Sequence, residues 1–154
     1  MTSTTDTQVA ITELLRTFKL PTAAAEMPKR LIDAGHHDAL EVVHEVLRAE
    51  RDDRRERRVE RLRQASMLPP GKTFETYDLR RLPHALTQKL RELRRHDFVE
   101  RAANVLAFGL PGTGKSHAVC ALGHELVQEG RPVLFIPTFK LCTGPVATRL
   151  HFAP

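Results

Sequence analysis

The sequence predicts an α/β protein in two parts, a helical N-terminal region and then a single strand–helix–strand (βαβ) unit. Three observations carry that prediction. Through position 64 the apolar residues recur at helical spacing. Two short continuous apolar runs read as strands, Val105-Leu106-Ala107-Phe108 as one buried on both faces and Val133-Leu134-Phe135-Ile136 as a second. A glycine-rich turn and a helical pattern separate them, and the unit spans 32 residues, the usual length of a βαβ crossover.

Each element follows from its residues. Ile11, Leu14, Leu15 and Phe18 mark the first helix, with Thr5 or Asp6 as N-cap and Pro21 as its end. A second helix is expected from Thr22 to Ala34, with a break or kink at Pro28 and a stop at Gly35. The third opens at Asp38 and reaches Gln64 without a Gly or Pro, amphipathic at first through Leu40, Val43 and Leu47, with Val42 and Val46 beside them. Its second half is dense in arginine. Glu50–Arg54 and Asp53–Arg57 stand at i,i+4 with the acid first, which favours a solvated, ion-paired helix over a nucleic-acid stripe. Pro69-Pro70-Gly71 marks a linker, and residues 74–78 follow as an extended segment. A helix from about Pro83 places Leu82, Leu86, Leu90 and Leu93 on one side and Lys89, Arg91, Arg94 and Arg95 elsewhere, the chain's main basic cluster. After the glycine-rich turn a helix runs to Glu129, burying Val119, Leu122 and Leu126, and Gly130 stops it.

Composition narrows the function classes. The chain has 154 residues, 41% hydrophobic and 28% charged, which argues against general disorder. No apolar stretch approaches the roughly 20 residues of a membrane span, and the N-terminus lacks a signal-peptide pattern. A cytoplasmic location is expected. Residues 1–66 hold twelve Lys/Arg against twelve Asp/Glu, residues 67–101 eight against five, and residues 102–154 four against two. The net charge of +5 therefore sits after residue 66 and permits, without requiring, nucleic-acid contact. Cys120 and Cys142 form no CxxC pair, and His36, His37 and His44 lack a metal-ligand pattern.

The chemistry lies in the turn itself. Gly109, Leu110, Pro111, Gly112, Thr113, Gly114, Lys115 and Ser116 satisfy G-x-x-x-x-G-K-[ST], the Walker A or P-loop pattern. The glycines let backbone N–H groups curl around phosphate oxygens where a side chain would obstruct them. The following helix contributes free N–H groups and the positive end of its dipole. Lys115 is expected to reach the β- and γ-phosphates of ATP, and the Ser116 hydroxyl to ligate Mg²⁺. His117 packs beside the motif without an evident catalytic partner, Cys120 reads as a small core residue, and Tyr77 and Phe74 suit either an adenine stack or a cap on the core.

Residues 104–117, from Asn104 to His117, resemble the first strand and nucleotide loop of the IstB-like ATP-binding proteins. These are helper ATPases of insertion-sequence transposition, related to the DnaC helicase loaders within the AAA+ class. The likeness extends to Ala121-Leu122-Gly123-His124-Glu125-Leu126, to Arg131-Pro132-Val133-Leu134-Phe135, and upstream to Phe18-Lys19-Leu20-Pro21, the charged helix and Pro70-Gly71-Lys72-Thr73-Phe74. It covers roughly residues 10–141. It implies that residues 109–116 hold the ATP phosphates, that the helical region makes partner or DNA contacts, and that the ATPase region assembles into oligomers on DNA and communicates with a transposase.

On that resemblance the chain is organised as a helical N-terminal region (1–66), a linker (67–78), the partial P-loop ATPase domain of an incomplete AAA+ fold (79–141) and an irregular tail (142–154). After Glu129 there is no Asp or Glu. The Walker B carboxylate, the sensor and the arginine finger of the family therefore have no counterpart, and a truncated protein that binds ATP without hydrolysing it is expected. A helicase-loader-like adaptor working through residues 1–66 is the alternative. A small P-loop kinase is disfavoured, because no acceptor-binding or lid region follows the loop.

Overall fold

A computed structural model describes residues 4–143. It holds seven helices, α1 (Thr4–Thr17), α2 (Pro21–Asp33), α3 (His37–Ala65), α4 (His84–Leu93), α5 (Asp97–Glu100), α6 (Lys115–Gln128) and α7 (Thr138–Thr143), and a 3-10 turn at Leu79–Arg81. The chain divides into two compact units between Arg57 and Arg58. Residues 144–154, most of the expected irregular tail, lie outside the described residues.

The first unit is built by helix periodicity. Ile11 and Leu15 on α1, Ala24 on α2 and Leu40 on α3 form a buried cluster, surrounded by Met27, Leu31, Ile32, Val43 and Leu47. Val42 and Val46 are more than half exposed, because the stripe facing this cluster is narrower than the apolar content of α3. The helix boundaries have local causes. Lys19, not Pro21, ends α1: it takes φ 60° while Leu20 N–H donates to Leu15 O at 3.0 Å and Lys19 N–H to Arg16 O at 2.9 Å. Gly35 closes α2 in the same way, with His36 N–H on Leu31 O at 2.8 Å. Pro21 instead starts α2, where its missing N–H costs nothing. The expected break at Pro28 does not occur; α2 runs through it and buries the ring.

In the second unit α6 is the buried element, with Cys120, Ala121, Leu122, Leu126 and Val127 inaccessible or nearly so. Val119, expected in this core, is 47% exposed. Leu68 and Val133 press against Gly123, where an added Cβ would stand 3.1 Å and 3.4 Å from their side chains. Gly130 ends the helix, with Arg131 N–H on Leu126 O at 2.9 Å.

The βαβ unit is not formed. No strand occurs among the described residues, so the α/β class read from the sequence is corrected to an all-helical arrangement. Residues 103–110 and 131–137 are irregular on either side of α6. The physical reason is that a helix satisfies its own backbone, whereas a strand needs a neighbour's N–H and C=O groups. The two runs do not pair. Phe135 N–H donates to Ser66 O at 2.7 Å, at the end of α3 rather than on a ladder. Leu106 (75% exposed) and Phe108 (87%) lie open to solvent. No helix among the described residues is long and apolar enough to cross a membrane.

Candidate functional site

Three glycines of the loop take positive φ. Gly109, Gly112 and Gly114 take φ values of 147°, 79° and 82°, a region that L-residues with a Cβ rarely enter. Gly114 is the N-cap of α6, and no side chain caps the helix there. The first helical bond runs from Ala118 N–H to Gly114 O at 2.9 Å, which leaves the amides of Lys115, Ser116 and His117 without a helical acceptor.

Lys115 folds over the loop. Its ammonium donates to Leu110 O at 2.6 Å and lies 3.3 Å from Thr113 Oγ1, while the Thr113 hydroxyl also donates to Leu110 O at 2.9 Å. A Cβ on Gly109 would stand 3.6 Å from Thr113 Oγ1 and 3.7 Å from Lys115 Cδ, so Gly109 faces the same space as the lysine. The structure therefore gathers the predicted residues 109–116 into one turn, with Pro111, Gly112 and Ser116 exposed to solvent. The donor set is an ammonium, a free helix N-terminus and two hydroxyls. It fits a phosphate chain and repels a cation except through the Ser116 hydroxyl.

A second layer holds the first turn of α6 from outside, and the motif gave no notice of it. The turn at 73–77 lies against that helix. Tyr77 covers Gly114, where a Cβ would come within 2.9 Å of the ring and of its hydroxyl. His117 Nε2 sits 3.0 Å from Thr73 O and 3.1 Å from Thr76 Oγ1, and the Thr76 hydroxyl is 2.5 Å from Gly71 O. With the single Thr76 proton on Gly71 O, both partners of Nε2 are acceptors, which assigns the imidazole proton to Nε2. The Tyr77 and His117 rings stack at 4.8 Å, tilted by 47°, and Phe74 meets Tyr77 edge-on at 6.5 Å.

Further along α6 the charged groups pair. Arg94 grips Glu125 with Nε at 3.0 Å and Nη2 at 2.5 Å, and its guanidinium lies 4.5 Å over Phe74. His96, 4% exposed and at φ 61°, contacts Glu129 through Nδ1 at 2.8 Å. Its Nε2 has no hydrogen-bond partner, the nearest carboxylate being Glu125 Oε2 at 3.8 Å. These contacts, with Arg91, Arg95 and Gln128, line an open cleft of about 490 Å³. Burial pushes the Cys120 thiol up from its ordinary range, as suits a core residue. Among the described residues no three His, Cys, Asp or Glu side chains gather as metal ligands would.

Comparison with known proteins assigns the chain. The family profile "IstB-like ATP binding protein" matches residues 10–144, and the chain belongs to that family. A protein named as an insertion sequence ATP-binding protein of Sinorhizobium fredii is 32% identical over 131 residues, 83% of this chain and 44% of the relative. The one named for insertion sequence IS21 of Pseudomonas aeruginosa is 43% identical over 97 residues, 62% of this chain and 36% of the relative. The replicative helicase loader DnaC of Buchnera aphidicola is 29% identical over 76 residues, 49% of this chain and 31% of the relative. The chain thus spans less than half the length of these three relatives. No solved structure matches it at a significant level.

Proposed function

We propose that the chain binds ATP through Gly109, Leu110, Pro111, Gly112, Thr113, Gly114, Lys115 and Ser116. The phosphates sit in the turn now spanned by the Lys115 side chain. The observation that carries this reading is the conjunction of three positive-φ glycines with the uncapped N-terminus of α6 and an ammonium held above them by main-chain and hydroxyl oxygens alone. No carboxylate competes for Lys115 among the described residues, so a phosphate oxygen replaces the Leu110 carbonyl without breaking an ion pair. Membership of an ATP-binding family supports the nucleotide's identity. Magnesium, when bound, neutralises phosphate charge; Ser116, exposed at the first turn of α6, is the residue that holds it.

The work done with that nucleotide is the support of insertion-sequence transposition, with DNA and a transposase as partners. Relatives from Sinorhizobium and Pseudomonas are named insertion sequence ATP-binding proteins, which supports the insertion-sequence setting. The DNA and transposase partners follow from the family resemblance alone. A second reading, a helicase-loader-like adaptor working through protein contacts of residues 1–66, is favoured by the DnaC likeness.

Calorimetry of Mg·ATP binding, wild type against Lys115→Ala, tests the proposal. Saturable binding that weakens at least about tenfold in the variant is expected, since a charge-assisted contact contributes about 1.5–3 kcal/mol. A folded wild type that leaves ATP unbound rejects it.

A further inference from the structure

We propose that Tyr77 is a positioning residue for the nucleotide loop, and that the turn at 73–77 is a strap whose order is coupled to nucleotide occupancy. The inference rests on ATP binding by residues 109–116 and goes beyond it, because no part of the strap belongs to the motif.

The phosphate loop is useful only if the amides after Gly114 aim at one point. That aim depends on the backbone of Gly114, whose φ of 82° is a conformation glycine leaves easily. Tyr77 restricts it. A Cβ at Gly114 would lie 2.9 Å from two atoms of the Tyr77 side chain, so the aromatic ring rests directly on the glycine's α-carbon. Glycine there supplies both the left-handed turn and the room for the ring.

The ring is itself fastened at several points. His117, one turn into α6, stacks on it at 4.8 Å and bridges Thr73 O and Thr76 Oγ1. Phe74 meets it edge-on, and Arg94 covers Phe74 while gripping Glu125 further along the same helix. The strap thus touches α6 at residues 114, 117 and, through Arg94, 125. Lys115 and Ser116 lie between the first two contacts. A phosphate that fixes the amides of 114–116 fixes the surface on which Tyr77 rests, and an ordered Tyr77 lowers the entropy that the loop loses on binding. Such coupling is reciprocal by linkage.

Composition supplies the reporter. Tyr77 is the chain's single tyrosine and there is no tryptophan, so tyrosine emission comes from the strap alone. Titrating the full chain with Mg·ATP is expected to change that emission along the same isotherm that calorimetry records. Amides 73–77 gain hydrogen-exchange protection in parallel. Tyr77→Ala is expected to weaken Mg·ATP binding about tenfold, while Tyr77→Phe, which keeps the ring, stays close to wild type. The thermal midpoint of the nucleotide-free protein separates a positioning effect from general loss of fold. Wild-type emission and exchange at 73–77 that stay flat through saturation with Mg·ATP overturn the proposal without recourse to any variant. So does a folded Tyr77→Ala protein with wild-type affinity. Failure of the wild type to bind at all overturns the nucleotide reading itself, a distinguishable result.

Discussion

The cluster formed by α1, α2 and α3 and the apolar run from 105 to 110 differ in how far they are buried. In the first, Ile11, Leu15 and Leu40 are 2% exposed or less. In the second, Leu106, Phe108 and Leu110 are each at least 75% exposed, although α6 between the two irregular runs is well buried. The difference is one of hydrogen-bond bookkeeping. Each helix closes its backbone bonds within itself, so its apolar stripe is free to pack on the next. A run such as Val105-Leu106-Ala107-Phe108 has no such internal solution, and residues 133–136 on the far side of α6 do not provide one.

The largest expected effects separate these regions. Leu40→Ala removes a side chain that is 1% exposed and is expected to cost about 2–5 kcal/mol in urea unfolding followed by helical circular dichroism. Phe108→Ala deletes a larger side chain, yet at 87% exposure it is expected to stay within about 0.5 kcal/mol of wild type. A Phe108→Ala penalty as large as that of Leu40→Ala would show that the exposed run is packed in solution and would collapse the comparison.

A matched pair of glycines sharpens it at smaller scale. Gly35 ends α2 at φ 76° with nothing within 4 Å of an added Cβ, so Gly35→Ala feels backbone strain alone, about 1–2 kcal/mol. Gly114, at φ 82°, carries the same strain and the Tyr77 ring besides. Gly114→Ala is therefore expected to lower the thermal midpoint further than Gly35→Ala and, unlike it, to weaken Mg·ATP binding. Equal losses of stability, with affinity untouched in both, would remove the strap from the loop's support.

How much of this was legible follows the same division. The three N-terminal helices, the stops at Gly35 and Gly130 and the ion pairs along α3 were readable because their causes are local: periodicity, a positive φ and i,i+4 spacing. The glycine-rich motif was legible as a pattern because its residues are contiguous. The errors came where a partner decides. Apolar continuity at 105–108 predicts burial on both faces, but not who provides it. Of the break or kink read at Pro28, the break is absent, since α2 continues through a proline whose ring is buried. The strap was invisible as a unit, since Thr73, Tyr77, Arg94 and His117 meet only after folding; the aromatic pair Phe74 and Tyr77 was its one trace.

The smallest effect concerns the far end of α3, where charges rather than apolar groups cover the helix. Glu60 accepts hydrogen bonds from Arg63 at 2.8 Å and from Gln64 at 2.7 Å, and with Arg63 the chief cause its carboxyl is held down at about 2. A depressed carboxyl contributes stability above its ordinary range, near 4.3, and loses that contribution as pH falls toward about 2. Because the pair is solvent-exposed, the expected change in thermal midpoint is slight and is screened by salt. NMR titration of the Glu60 side chain reads the shift directly, and Arg63→Ala is expected to move its midpoint back toward the ordinary value. If Glu60 titrates normally in the wild type, the ion pairs of α3 are transient in solution. The helix then persists on its backbone bonds and helix-forming residues alone, the same self-sufficiency that the runs flanking α6 lack.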